Sequence, residues 1–152
     1  MSLQEKINND AVSAFKNGDR FITETLRSLK AAILNQAIAL KLHDVGLSDN
    51  QVETLIAREV KKRQESADIY ESADRPELAL REHQEIEVLK VYLPTQLTEL
   101  EINQLIEDIV DEQGMEKIVQ NMGKIIGAVK QKAGAKADGA VVSRLVQKFL
   151  QN

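Results

Sequence analysis

Apolar positions along this chain recur at intervals of three and four, the spacing of one face of an α-helix. Leu3, Ile7, Val12 and Phe15 form the first such stripe. Ser2 and Glu5 frame its start as a capping box, each satisfying a free N–H of the other, and Gly18 can end it. Asp19 can cap a second helix, with Ile22, Leu26, Leu29, Ile33, Ala37 and Leu40 on one face. His43-Asp44-Val45-Gly46 then breaks the pattern. Ser48-Asp49-Asn50-Gln51 is another capping box, opening a helix through Val52, Leu55, Ile56 and Val60 towards Tyr70. Asp74-Arg75-Pro76-Glu77 reads as a turn and a new helix start, because proline suits the first helical position. That helix carries Leu78, Ile86, Leu89 and Leu93. It should stop near Pro94, since the residue before a proline disfavours helix.

Beyond Pro94 the pattern resumes. Thr98-Glu99-Leu100-Glu101 caps a helix through Leu105, Ile106 and Val110, with Gly114 at its end. A helical stretch over Ile118–Val129 follows. Asp138 can cap a last helix with Val141, Val142, Leu145, Val146 and Phe149. Outside these stretches no four residues alternate with the strand period. The expectation is an all-α protein: a four-helix N-terminal lobe over residues 1–93 and a small three-helix C-terminal lobe over residues 95–152.

Composition agrees with a helical core. The apolar share is 43% but aromatics are only 3%, so Leu, Ile, Val and Ala do the packing. The chain has no Cys, which excludes disulfides and thiolate metal sites and fits a reducing compartment. No signal-peptide pattern opens the chain, and no run of about 18 apolar residues marks a transmembrane helix. These features suggest a soluble, cytoplasmic protein. The net charge of −4 says less than its distribution. Residues 94–116 contain seven acids and no Lys or Arg, whereas residues 117–152 contain seven Lys or Arg and one acid, Asp138. A basic segment thus follows an acidic one.

Candidate chemistry concentrates in "MGKIIGAVKQKAGAKADG", residues 122–139. A phosphate-binding loop would need a glycine five residues before Gly123 and Ser or Thr after Lys124; Ile118 and Ile125 stand there, in a helical context. Gly123 and Gly127 lie one turn apart and each costs roughly 1 kcal/mol against Ala inside a helix, which suggests that another backbone packs closely on them. His43 and His83 are far apart, without metal-ligand spacing, and each reads as solvated. Glu107, Asp108, Asp111 and Glu112 read as the solvated face of an amphipathic helix. No G-x-S-x-G is present. The residues alone indicate no catalytic group, metal or cofactor.

One internal constellation stands out. Glu59 and Arg63 fall on the apolar stripe of the third helix, and Glu85 on that of the fourth. Charges on core-facing stripes need partners. In an antiparallel hairpin turning at Asp74, Arg63 and Glu85 are equally distant from the turn. They are expected to face each other, with Glu59 reaching Arg63 one turn away.

"LRSLKAAILNQAI" (26–38), "REVKKRQESADIY" (58–70), "EIEVLKVYLPTQL" (85–97), "MGKIIGAVK" (122–130) and "ADG" (137–139) resemble the GatB/YqeY family, in order and over nearly the whole chain. The family is similar to the tail of GatB, one component of the glutamine-dependent aspartyl/glutamyl-tRNA amidotransferase. The resemblance implies an all-helical protein with a role in translation. It also implies the family label of carbon–nitrogen ligase with glutamine as amido donor, with tRNA held by the tail and the chemistry carried by other domains. Carried over by position, the glycine-lysine motif falls on Gly123 and Lys124, and the Ala-Asp-Gly motif on Ala137, Asp138 and Gly139. The order Gly134-Ala135-Lys136 departs from the family's Lys-Gly, and Gln131 replaces a common proline, so a reshaped turn is expected before Asp138.

Lysines beside a helix N-terminus suit nucleic-acid phosphates. The expected tRNA-binding residues are Gly123, Lys124, Lys130, Lys132, Lys136, Asp138 and Gly139. No aromatic platform for stacked bases accompanies them. Three functions stay open at this point: a tRNA-binding accessory module, a helical protein-interaction adaptor with no RNA role, and an amide-forming enzyme. The first takes tRNA and a protein of tRNA aminoacylation or amidation as partners. It involves no DNA, membrane or cofactor, and takes the chain as a monomer that is not catalytic alone.

Overall fold

Side-chain caps fix where most of the helices begin. The computed structural model describes residues Met1–Asn152 and contains seven α-helices and no strand. At α1 (Leu3–Lys16), Ser2 Oγ accepts from the Glu5 N–H while the Glu5 carboxylate accepts from the Ser2 N–H. At α2 (Arg20–Ala39), Asp19 accepts from the Ile22 N–H. Ser48 and Gln51 repeat the reciprocal box at α3 (Asp49–Ser72). Helix α4 (Pro76–Lys90) has no side-chain cap, but Pro76 in its first turn removes one free N–H. Thr98 caps α5 (Glu99–Gln113), which Gly114 ends in the left-handed conformation. Helix α6 (Met122–Ala133) follows a 3-10 turn over Val119–Asn121, and Asp138 caps α7 (Gly139–Gln151).

The chain divides into two compact units, Met1–Leu93 and Pro94–Asn152. In the first, α1 packs on α2 and α3 on α4, with α2 touching both α3 and α4. Ile7, Leu26, Leu29, Ile33, Val52, Ile56 and Leu89 fill the centre. In the second, α5, α6 and α7 each pack on the other two, around Ile106, Ile125, Val129, Val142 and Val146. Each such side chain contributes about 1.5–3 kcal/mol by leaving water. Each unit thus has its own buried centre.

Several expectations from the apolar pattern need correction. Val12 and Phe15 are exposed; the buried stripe of α1 is Ile7, Ala11 and Ala14. The alanines let α1 lie close to its neighbours, and Val12 and Phe15 fall one position further round the helix. Arg27 covers the Phe15 ring at 5.4 Å instead. Leu40 is exposed just past the end of α2. Helix α4 stops at Lys90, short of Pro94. The Tyr92 and Leu93 N–H groups bond back only three residues, to Leu89 and Lys90, and this tightening turns the Tyr92 ring into the core. Helix α6 starts at Met122 rather than Ile118, because Ile118 is extended and Asn121 bonds the Glu116 carbonyl.

Candidate functional site

The basic corner of the second unit is built by α6, the turn after it and the start of α7. Ile125, Val129 and Ala133 bury one side of α6. That periodicity leaves Gly123, Lys124 and Gly127 exposed on the opposite side. A Cβ built on either glycine would meet nothing within 4 Å. The expected close backbone approach is therefore absent: the glycines face open space, and their cost in helix stability is not recovered by packing.

The turn after α6 is built on Gly134, which ends the helix at φ 57 and ψ −135, a region that side chains exclude. Residues Gly134–Lys136 form a 3-10 turn. Two groups from the segment before α5 latch it: the Leu97 N–H donates to the Lys136 carbonyl at 2.8 Å, and the Gln96 amide to the Ala135 carbonyl at 2.8 Å. Nothing in the local sequence pattern marks this latch, because its halves lie 39 residues apart. Asp138 Oδ1 then accepts from the Ala140 N–H at 2.7 Å, capping α7.

The lysines divide by environment. Lys130 lies over Gly139: a Cβ there would meet its Cε at 3.0 Å and its Nζ at 3.1 Å. Lys130 is thereby placed beside the α7 N-terminus. Lys132 pairs with Glu112 at 3.9 Å, and Arg144 with Glu99. Lys117 stands over the Phe149 ring at 4.6 Å. Lys124, Lys136 and Lys148 are exposed and enter no ion pair. Acids of α5 thus neutralise two of the seven basic groups, a pairing that the net charge of the segment conceals.

In the first unit the Arg63 guanidinium bridges two helices. Its Nη1 donates to Glu59 Oε2 at 2.8 Å and its Nε to Glu85 Oε2 at 3.0 Å. Arg81 approaches the other Glu85 oxygen at 3.6 Å. The Arg63 side chain is 13% exposed. Burial opposes its charge, but the hydrogen bonds it donates to Glu59 and Glu85 outweigh that and raise its pKa further. Beside it, burial and the Glu85 charge raise Glu82, with Arg63 and Arg81 opposing. Every buried side-chain polar atom has a partner. The cluster is a tie between α3 and α4.

His83 contacts Glu71 at 3.1 Å and His43 contacts Asp44 at 3.3 Å, both in exposed settings. No three His, Asp or Glu side chains converge as a metal cluster, and no helix is long and apolar enough to cross a membrane.

Comparison with known proteins adds two findings. The family described as Yqey-like protein matches residues 4–150. A protein of Pyrenophora tritici-repentis named altered inheritance of mitochondria protein 41, mitochondrial, is 25% identical over 150 residues, covering 95% of this chain and 79% of that protein.

Proposed function

Because the chain belongs to the Yqey-like protein family, we propose that it is a tRNA-binding accessory module related to the glutamine-dependent tRNA amidotransferase, acting through its C-terminal unit. The observation that carries this reading is the outer side of α6. Bare backbone at Gly123 and Gly127 flanks an unpaired Lys124, with nothing packed above. A phosphate could approach that helix more closely than any side-chain-bearing surface permits. Lys136 and Lys130 extend the positive potential to the capped start of α7. In this reading the two units are two domains of a cytoplasmic monomer. The chain holds RNA for carbon–nitrogen ligase chemistry performed by a partner.

The test is binding of a folded tRNA, by filter retention at several salt concentrations, to wild type and to a quadruple variant with Lys124, Lys130, Lys132 and Lys136 changed to Gln. Each lost phosphate contact should flatten the plot of log affinity against log salt by roughly 0.7–0.9. Lys132 should contribute least, since Glu112 already partners it. An unchanged slope, or no binding by wild type at low salt, would refute the reading. The adaptor reading, a helical protein-interaction domain with no RNA role, draws on the neutralisation of Lys132 and Arg144 by α5.

A further inference from the structure

A groove of about 530 Å³ opens in the first unit, between the last two turns of α1, the first two turns of α2 and the end of α4. Ala14, Ile22, Leu26, Val88 and Val91 give it apolar walls, and Tyr92 also lines it. Three carboxylates line it, Asp10, Asp19 and Glu87, and no Lys or Arg does. Two of these carboxylates are held in place. The Tyr92 phenol donates to Asp10 Oδ2 at 2.6 Å, and Asp19 Oδ1 accepts from the Ile22 N–H at 3.0 Å. Each keeps its second oxygen free for a further donor. Lys90 reaches Glu87 at 3.6 Å from outside the lining, and Lys6 stands over the Tyr92 ring at 5.7 Å.

We propose that this groove docks a basic amphipathic helix of a partner protein. The charge selects a cationic partner, and the apolar walls select one with an apolar stripe. The lining run on α1, from Asp10 to Asn17, is about 10 Å long, or two turns of helix. It accepts side chains at i, i+3, i+4 and i+7, the pattern by which a helix fills a groove. A small molecule fits less well. Such ligands bury most of their surface when bound, whereas here Val91 is 67% exposed and the Glu87 side chain 74% exposed. A helix brings its own cover for that open side. Asp10 and Asp19 act as preset acceptors for its Lys or Arg groups, which lowers the ordering cost of the contact.

The experiment uses the full-length protein and two synthetic amphipathic helices, with leucines at helical spacing and either lysines or glutamates flanking them. Binding is followed by fluorescence anisotropy and mapped by amide chemical shifts. The lysine peptide should bind, with shifts centred on Ser13, Ile22, Val88 and Val91, and the glutamate peptide should not. Combined Asp10→Asn and Glu87→Gln should weaken the lysine peptide about tenfold, as expected for the loss of one half-buried and one exposed charge contact. Ser13→Trp, an exposed change that fills the groove, should abolish binding with the thermal melt unchanged. Failure of the lysine peptide to bind, equal binding of both peptides, or shifts centred elsewhere would overturn the proposal. So would hexylammonium chloride binding as tightly as the lysine peptide, because the groove would then be a small-amine site.

Discussion

The Tyr92 phenol donates a 2.6 Å hydrogen bond to Asp10, tying the chain just beyond α4 to the middle of α1 across 82 residues of sequence. This arrangement leaves Tyr92 only 7% exposed. Burial first, and then the Asp10 hydrogen bond and charge, raise the phenol above its ordinary pKa.

Stability should therefore fall at alkaline pH in a way that Tyr92→Phe abolishes. The unfolded phenol ionises near 10, while the folded one holds its proton to higher pH. The contribution of Tyr92 is complete below about pH 10 and is lost as pH rises towards the folded pKa. At neutral pH, Tyr92→Phe should cost about 1.5–3 kcal/mol, the value of a hydrogen bond to a charged group. Urea denaturation of both proteins between neutral and alkaline pH checks the slope; parallel curves would show that the phenol is not linked to folding.

Removing Arg63 should be far more damaging than removing its whole cluster. Arg63→Met leaves Glu59 and Glu85 facing each other at 18% and 20% side-chain exposure. The loss should be on the order of 3 kcal/mol. Adding Glu59→Gln and Glu85→Leu to that variant should recover much of it. Urea midpoints for the single and combined variants measure the difference, and additive losses would contradict the mutual dependence of these groups.

Glu82 gives a smaller effect with a definite sign. Its pKa is raised, so the folded protein prefers the neutral acid. The advantage of the neutral form is present below the ordinary carboxylate range and lost as pH rises through the folded pKa. Glu82→Gln should then be more stable than wild type at neutral pH. The gap should close on acidification; a gap of constant size in thermal melts across that range would contradict the assignment.

Gly127→Ala should stabilise the protein by about 0.5–1 kcal/mol, because the helix gains Ala propensity and the new Cβ meets nothing. Gly123→Leu should likewise be tolerated by the fold. If the outer side of α6 receives an RNA backbone, both changes should weaken tRNA retention while the melting temperature holds or rises. Asp138→Ala should behave oppositely, losing about 0.5–2 kcal/mol with its cap before any change in affinity. Melting and retention on the same preparations separate the two behaviours.

Cutting the chain after Leu93 should leave an N-terminal piece that unfolds cooperatively. Its centre at Ile7, Leu26, Ile33, Val52 and Leu89 draws on residues from within Met1–Leu93 alone. Circular dichroism during heating is the check, and a broad, non-cooperative melt would mean that Pro94–Asn152 completes its core.

The sequence by itself determined the local elements. Ser2, Asp19, Ser48, Thr98 and Asp138 cap their helices because a cap depends on two or three neighbouring residues and on nothing distant. The all-helical class follows from the same local periodicity. Arg63 and Glu85 were legible as facing groups because a hairpin converts sequence distance from Asp74 into spatial register. Tertiary structure decided the rest. Which side of α1 is buried depends on how closely its neighbours approach, so Ala11 and Ala14 are in and Phe15 is out. The glycines of α6 face open space, which their spacing does not reveal, since a missing side chain can serve a neighbour or face solvent equally well. The Gln96–Ala135 latch, the pairing of Lys132 with Glu112, and the groove under Tyr92 join residues whose sequence spacing follows no period. Long-range contacts of this kind are set by chain path, and local chemistry carries no signal of them.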